Sequence, residues 1–203
     1  MQGYSERQLQ IIQKAIELIA EKSIQELTIK NLAKKLGVTD GAIYRHFESK
    51  TEILLGILRL FQSRARVCME QTCTSDLPAL EKIKNLFQNN FRYFNEFPSV
   101  TAVIFSESIF QNDSDLAQEV RQLLNMHEKA LSCAIQRGQE KGEICTMIPE
   151  KELIRIIIGS MRYTVTKWRL SNYGFDLMEE GTLMLDSLKK LLTPNVPSDV
   201  SPS

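Results

Sequence analysis

Between Thr28 and Lys50 the chain gathers side chains whose chemistry suits a nucleic-acid groove. Arg45 can fork onto guanine N7 and O6, or neutralise a phosphate, and Tyr44 can offer its hydroxyl to a phosphate or its ring to a thymine methyl. Thr28 sits where a helix should begin, so its hydroxyl and the free backbone amides beside it suit a phosphate oxygen. Lys30, one turn in, adds charge, and Lys50 opens the next helix as a cation among free amides. Phosphate contacts fix register while base contacts carry sequence. On that division Thr28, Tyr44, His46 and Lys50 are assigned mainly to register, and Thr39, Asp40, Gly41 and Arg45 mainly to sequence. The segment holds five cations (Lys30, Lys34, Lys35, Arg45, Lys50) against two acids (Asp40, Glu48), while the whole chain has a net charge of zero. Any attraction to a polyanion is therefore local.

These side chains need short helices to aim them. At about 100° per residue, residues 39–47 place Asp40, Gly41, Tyr44 and Arg45 on one arc and Ala42, Ile43, His46 and Phe47 on the other. Ile43 and Phe47 then pack inward and a polar face looks out. Thr28 caps the preceding helix, whose Leu32, Ala33 and Leu36 face inward, and Gly37 supplies the permissive backbone of a tight turn with Val38 beside it. Two helices held apart by such a turn outline a helix-turn-helix, whose second helix fits the major groove. Before it, Ser5-Glu-Arg-Gln8 is a capping box followed by Leu9, Ile12, Ile16 and Ile19 at helical spacing. After it, Ser49-Lys-Thr-Glu52 is another, opening a long helix with Ile53, Leu54, Ile57, Leu58 and Phe61 on one side. Asp40 either accepts from a cytosine amino group or favours the helix dipole. Gly41 costs about 1 kcal/mol of helix stability relative to Ala, either for close backbone approach or as a tolerated weak spot.

The rest reads as helix as well: 79–96, a piece around 100–110, 116–141, 150–171 and 177–192, separated by Pro78, Pro98, residues 112–114, Gly142, Pro149 and residues 172–174. No segment alternates with period two, so the expected class is all-α. The 203 residues, 43% hydrophobic and 25% charged, suit an ordinary globular chain with ample core. Cys68, Cys73, Cys133 and Cys145 form no CxxC pair and neither histidine has zinc spacing, so buried reduced thiols and no metal are expected. The N-terminus lacks an apolar signal core. The stretch from Leu153 to Trp168 is short and broken by Arg155, Arg162 and Lys167, so no membrane span and a cytoplasmic location are expected. Residues 194–203, rich in proline and serine, read as a disordered tail. Ser106, Glu107 and His127 lack a strand-turn elbow or glycine-rich loop, so no catalytic site and no cofactor are assigned.

The run from Ile11 to Leu58 closely resembles the N-terminal domain of the TetR family of bacterial transcriptional regulators. The likeness rests on Thr28 opening helix two, Leu32-Ala33, Leu36-Gly37-Val38, Ile43-Tyr44-x-His46-Phe47, and Lys50 with the apolar residues after it. Ser23 and Ile24 depart from the glycine and aromatic common at those positions, both in the connection between the first two helices. The resemblance implies an N-terminal three-helix DNA-binding domain (1–50, helix-turn-helix 28–47) and a C-terminal helical ligand-binding and dimerisation domain (51–193). It implies a homodimer on double-stranded, palindromic operator DNA, with Thr28, Lys30, Tyr44, His46 and Lys50 at positions used against DNA. Asp40 and Gly41 fall where the family varies most. The function implied is a repressor released by a small effector, which the aromatic residues of the middle helices point to being hydrophobic. The alternative is a DNA-bound module that recruits a protein partner.

For the dimer interface the apolar stripes of the last two helices supply Ile154, Ile158, Met161, Val165, Met184, Leu185 and Leu188, in a four-helix arrangement. The other reading is that these stripes face their own core. An effector pocket among the middle helices would draw on Phe91, Phe94, Ile104, Met126 and Trp168, with Glu107, His127 and Tyr163 as polar anchors. Aromatics at such spacing are more often plain core.

Overall fold

The computed structural model describes residues 3–105 and 113–194. All regular structure among them is helical: α1 Glu6–Glu21, α2 Ile29–Leu36, α3 Asp40–Tyr44, α4 Lys50–Thr74, α5 Ala79–Glu96, α6 Pro98–Ile104, α7 Ser114–Glu140, α8 Glu150–Leu170 and α9 Leu177–Leu192. The expected class is the observed one. Glu107 and all but the first residue of the expected tail lie outside the described residues.

The caps read from sequence are present. Ser5 Oγ accepts from Gln8 N and Gln8 Oε1 accepts from Ser5 N, closing the capping box of α1. Thr28 Oγ1 accepts from Asn31 N at 3.1 Å. Helix α2 ends at Gly37, whose φ of 67° is left-handed. Gly37 N donates to Lys34 O and Val38 N to Ala33 O, the paired bonds of a Schellman turn. At α4, Ser49 Oγ accepts from Glu52 N, but the Glu52 carboxylate reaches back to Glu48 N, one residue before the expected cap amide.

The chain forms two compact units, one of residues up to Val67 with Tyr93–Met126, the other of Cys68–Arg92 with residues from His127 on. Residue 50 is thus where α4 starts, and the three N-terminal helices share their unit with α6 and with parts of α4, α5 and α7. In that first unit α1 packs on α2 and α6, around Ile11, Ile12, Leu32, Ile43, Phe47, Ile53 and Phe61, all buried. Gly56 lets α4 approach α1 closely, since a Cβ there would lie 2.8 Å from Ile12 Cδ1. Further along α4, Arg59 Nε donates to Glu119 Oε1 at 3.0 Å and Gln62 Nε2 to Glu119 O at 2.7 Å, joining α4 to α7.

In the second unit α8 packs on α9, and Trp168 Nε1 donates to Phe175 O at 3.0 Å. The thiols differ from expectation. Cys73 and Cys133 form a disulfide between α4 and α7, with Cα atoms 5.2 Å apart, and Cys68 and Cys145 are half-buried thiols outside it. The bonded pair is 60 residues apart in sequence, and no local spacing announces a contact made by two helices lying side by side.

Candidate nucleic-acid interface

Two anchors and an amide hold the third helix. Ile43 and Phe47 are fully buried, whereas Tyr44 between them is 54% exposed. Tyr4 packs at a tilt against Phe47, with ring centroids 6.4 Å apart. Gln8 Nε2 donates to His46 O at 3.2 Å, so one side chain both closes the α1 capping box and pins the end of the α3 segment. This second job of Gln8 has no signature in the sequence. Thr39, Asp40, Gly41, Tyr44 and Arg45 are all exposed, as the angular reading expected. Regular helix stops at Tyr44, with Arg45 and His46 in a turn, shorter than the 39–47 helix expected. Helical bonding nevertheless continues, with Arg45 N on Gly41 O and Phe47 N on Ile43 O, so the predicted faces survive.

Thr39 makes no capping hydrogen bond through its hydroxyl, which leaves that group open to an outside partner. Thr28 accepts from Asn31 N, and its hydroxyl proton is still able to meet a phosphate oxygen. Lys30 and Lys34 are exposed, and no ion pair joins them or Arg45 to another described residue. Lys35 is spent otherwise: its ammonium lies 2.7 Å from Glu21 Oε1 and 3.8 Å from Glu17 Oε2, on α1. That hydrogen bond holds the Glu21 carboxyl below the usual carboxylate range. Lys50 also turns inward. Its Nζ donates to Ile24 O at 3.1 Å, and burial pushes its pKa down. It ties the start of α4 to the connection between α1 and α2, with two donors left over. His46 is half-buried. The outward surface is therefore a short helix edge with one aromatic hydroxyl, a guanidinium, a free threonine and two free lysines on α2.

Residues 11–57 match the model of bacterial regulatory proteins of the tetR family, and residues 63–192 match the C-terminal region of YsiA-like proteins within it. The chain belongs to the TetR family. It is a DNA-binding transcriptional regulator with a helix-turn-helix and no catalytic role. It is 26% identical over 180 residues to the fatty acid metabolism regulator protein of Bacillus subtilis (strain 168), spanning 89% of this chain and 92% of that one. It is 24% identical over 192 residues to the probable acrEF/envCD operon repressor of Escherichia coli (strain K12), spanning 92% and 86%. Among solved structures, FadR from B. subtilis in complex with stearoyl-CoA superposes with a TM-score of 0.77 at 24% identity, over 91% of this chain and 98% of that one. FadR from Bacillus halodurans gives 0.80 at 21%, over 93% and 97%. At such identities the superpositions show the fold alone.

The residues expected around an effector divide between the two units of this TetR-family chain. Phe94, Ile104 and Met126 belong to the first and Phe91, His127, Tyr163 and Trp168 to the second. Phe94 packs against Phe61 and Phe105. Phe91 lies against Gly181 of α9, and a Cβ on that glycine would fall 2.5 Å from its ring. Trp168 is committed to Phe175 O. His127 meets Asn90 at 3.3 Å. Tyr163 is 70% exposed, so it does not line an enclosed space within its own unit.

For the dimer candidates, Met161, Val165, Leu185 and Leu188 are buried inside their own chain, which is the core-facing alternative. Ile154, Ile158 and Met184 are half-buried. The apolar surface that stays open is Ile156, Tyr163 and Leu170 on α8 with Leu183 and Leu191 on α9. The reason is periodicity: residues 156, 163 and 170 recur every seventh position and share a face distinct from that of 157, 161, 165 and 168. Among the described residues no cluster of His, Cys, Asp and Glu suits a metal, and no helix is long and apolar enough to cross a membrane.

Proposed function

We propose that the chain is a homodimeric repressor that grips a palindromic operator through paired α3 faces and lets go when a long-chain apolar effector of the fatty-acyl thioester class binds. The observation that carries the DNA half is the division of α3, with Tyr44 and Arg45 outward and Ile43 and Phe47 sealed behind them. Thr39, Asp40 and Gly41 then face base edges, Tyr44 and Arg45 reach bases or backbone, and Thr28 and Lys30 meet phosphates. His46 presents its carbonyl to Gln8 and so helps hold the reading helix, while Lys50 gives its ammonium to Ile24 and ties α4 to the connection between α1 and α2. The dimer half draws support from the open stripe of Ile156, Tyr163 and Leu170. Gly159 on the same helix has nothing within 4 Å of a Cβ position, which leaves room for a second copy. The effector class is supported by the B. subtilis relative named for fatty acid metabolism and by the fold shared with FadR bound to stearoyl-CoA.

Release works through α4. Its first turns hold the head through Lys50 and through the close contact of Gly56 with Ile12. An effector that shifts α4 changes the spacing of two recognition helices that must match grooves about 34–36 Å apart, or a multiple. A coupling of about 1–3 kcal/mol loosens DNA roughly 5- to 150-fold. The test selects an operator from random duplexes with the full-length protein, then measures affinity with and without stearoyl-CoA. Palindromic selection and weakening within that range are expected. Undiminished binding by the double variant Tyr44→Ala, Arg45→Ala overturns the DNA face, and an affinity indifferent to every acyl-CoA length overturns the effector class.

A further inference from the structure

Tyr4 stands one residue before Ser5, the N-cap of α1, a position from which an apolar side chain commonly staples back onto its own helix. In this chain the half-buried Tyr4 reaches further, and the two ends of its side chain have different partners. The ring lies against Phe47, just beyond α3, with 6.4 Å between centroids. The hydroxyl lies over α4, where a Cβ on Gly56 would sit 3.6 Å from it. Phe47 follows Tyr44 by three residues and Arg45 by two, so a shift of the Phe47 ring turns the face that they present.

Arg59 stands three residues after Gly56, on the same face of α4. Its Nε donates to Glu119 Oε1 at 3.0 Å, and the rest of its guanidinium can serve a second acceptor. The Tyr4 hydroxyl is that acceptor. Hydrogen bonds to Glu119 first and Tyr4 second hold the Arg59 pKa above its usual value, against a desolvation that lowers it. Glu119 is itself fixed on α7, where the buried Gln62 donates both to its Oε2 and to its carbonyl, each at 2.7 Å. All of these residues belong to the first unit. The end of α3 is thus held twice by the start of the chain, by Gln8 on the His46 carbonyl and by Tyr4 on Phe47. Tyr4 also continues through its hydroxyl to α4, and Arg59 continues from there to α7.

We propose that Tyr4 is a positioning residue for the recognition helix, its ring seated on Phe47 and its hydroxyl on Arg59, so that the place of α7 is felt at α3 through Glu119, Arg59 and Tyr4. This rests on α3 being the DNA-reading helix and not on the identity of any effector. The experiment is a double-mutant cycle read on DNA affinity. The full-length protein selects an operator from random duplexes, and its Kd is measured without effector for the parent, Tyr4→Phe, Glu119→Ala and the double variant. Tyr4→Phe keeps the ring on Phe47, and Glu119→Ala leaves Gln62 its bond to the carbonyl of residue 119. Glu119→Ala should weaken the operator at least about threefold in the parent and hardly at all beside Tyr4→Phe, where the path is already cut. Glu128→Ala, at an exposed position of α7 outside the path, is the unaffected control. The salt slope should stay that of the parent in every variant, because no phosphate contact is lost. A merely structural role would lower Tm and leave the two effects on affinity additive. Equal factors for Glu119→Ala in both backgrounds, or no effect in either, overturn the proposal. So does a loss of salt slope in Tyr4→Phe, which makes the hydroxyl a direct DNA ligand. Undiminished binding by Tyr44→Ala, Arg45→Ala in the same assay overturns the reading of α3 and this proposal with it, whereas weakened binding there beside additive effects overturns this proposal alone.

Discussion

Replacing Lys50 by methionine keeps the aliphatic stem and removes the ammonium, which separates two roles for this residue. If it is a tether, the loss is the bond from Nζ to Ile24 O, 3.1 Å long at a half-buried position. Hydrogen bonds from charged groups contribute about 1.5–3 kcal/mol, and partial exposure brings that to about 1 kcal/mol. For a chain of this length, about 1 kcal/mol moves Tm by roughly 2–4 °C. The Ile24 carbonyl would keep only its bond from Leu27 N, at 3.3 Å. If instead the ammonium neutralises a phosphate, the salt slope of DNA binding falls by about 0.9 per subunit and stability hardly changes. The measurement pairs a thermal melt with operator affinity across a range of salt. The tether requires a Tm drop of about 2–4 °C with a slope change well under 0.9 per subunit. An unchanged Tm with a full unit lost from the slope refutes it.

Gly37→Ala places a Cβ at φ 67° with nothing within 4 Å to clash, so its cost is purely backbone, about 1–2 kcal/mol; a melt showing no loss of Tm contradicts the left-handed turn. Tyr163→Glu puts a charge on the open α8 stripe, and sedimentation should show the dimer dissociating at concentrations where the parent stays associated; an unchanged dimer moves the interface elsewhere. Lys82 has a folded-state pKa depressed by burial. Below that value both states are protonated and the fold bears the whole penalty. As pH rises through it towards 10.5 the unfolded chain holds more protons, so stability rises. The parent should therefore gain on Lys82→Met over that range in denaturant melts, and a difference that stays flat with pH rules out the lowered Lys82 pKa.

The head of the protein was legible because its logic is local. Caps lie three residues apart, Gly37 stands where a left-handed turn is needed, and the alternation of Ile43, Tyr44 and Phe47 sets faces without reference to the rest of the chain. Even there, pairing across the fold escaped. Lys50 and Lys35 read as free cations, yet Lys35 is turned onto α1 and Lys50 onto the connection between α1 and α2, because charge can be counted in a sequence but its partners cannot. The same limit governs the larger part. Periodicity marks α8 and α9 as broadly apolar, yet a helix with two apolar faces does not declare which one is core. Met161 and Val165 look as fit for an interface as Ile156 and Tyr163, and only the packed fold shows that the second pair stays open.

Local and distant pairing meet in helix α4. Its first turns are held by Lys50 and by the Gly56 contact with α1, its middle by Arg59 and Gln62 on Glu119, and its last turn by Cys73 on Cys133. The first two holds are made to α1 and the connection after it, and the last two to α7, which carries both Glu119 and Cys133. A packed helix of that kind has few arrangements open to it and switches between them instead of bending smoothly. Weakening a hold near the α4 start should therefore change DNA affinity in the unliganded protein. Weakening Gln62 should change chiefly how far an effector shifts that affinity, because its partner Glu119 lies on α7 and not on the reading head.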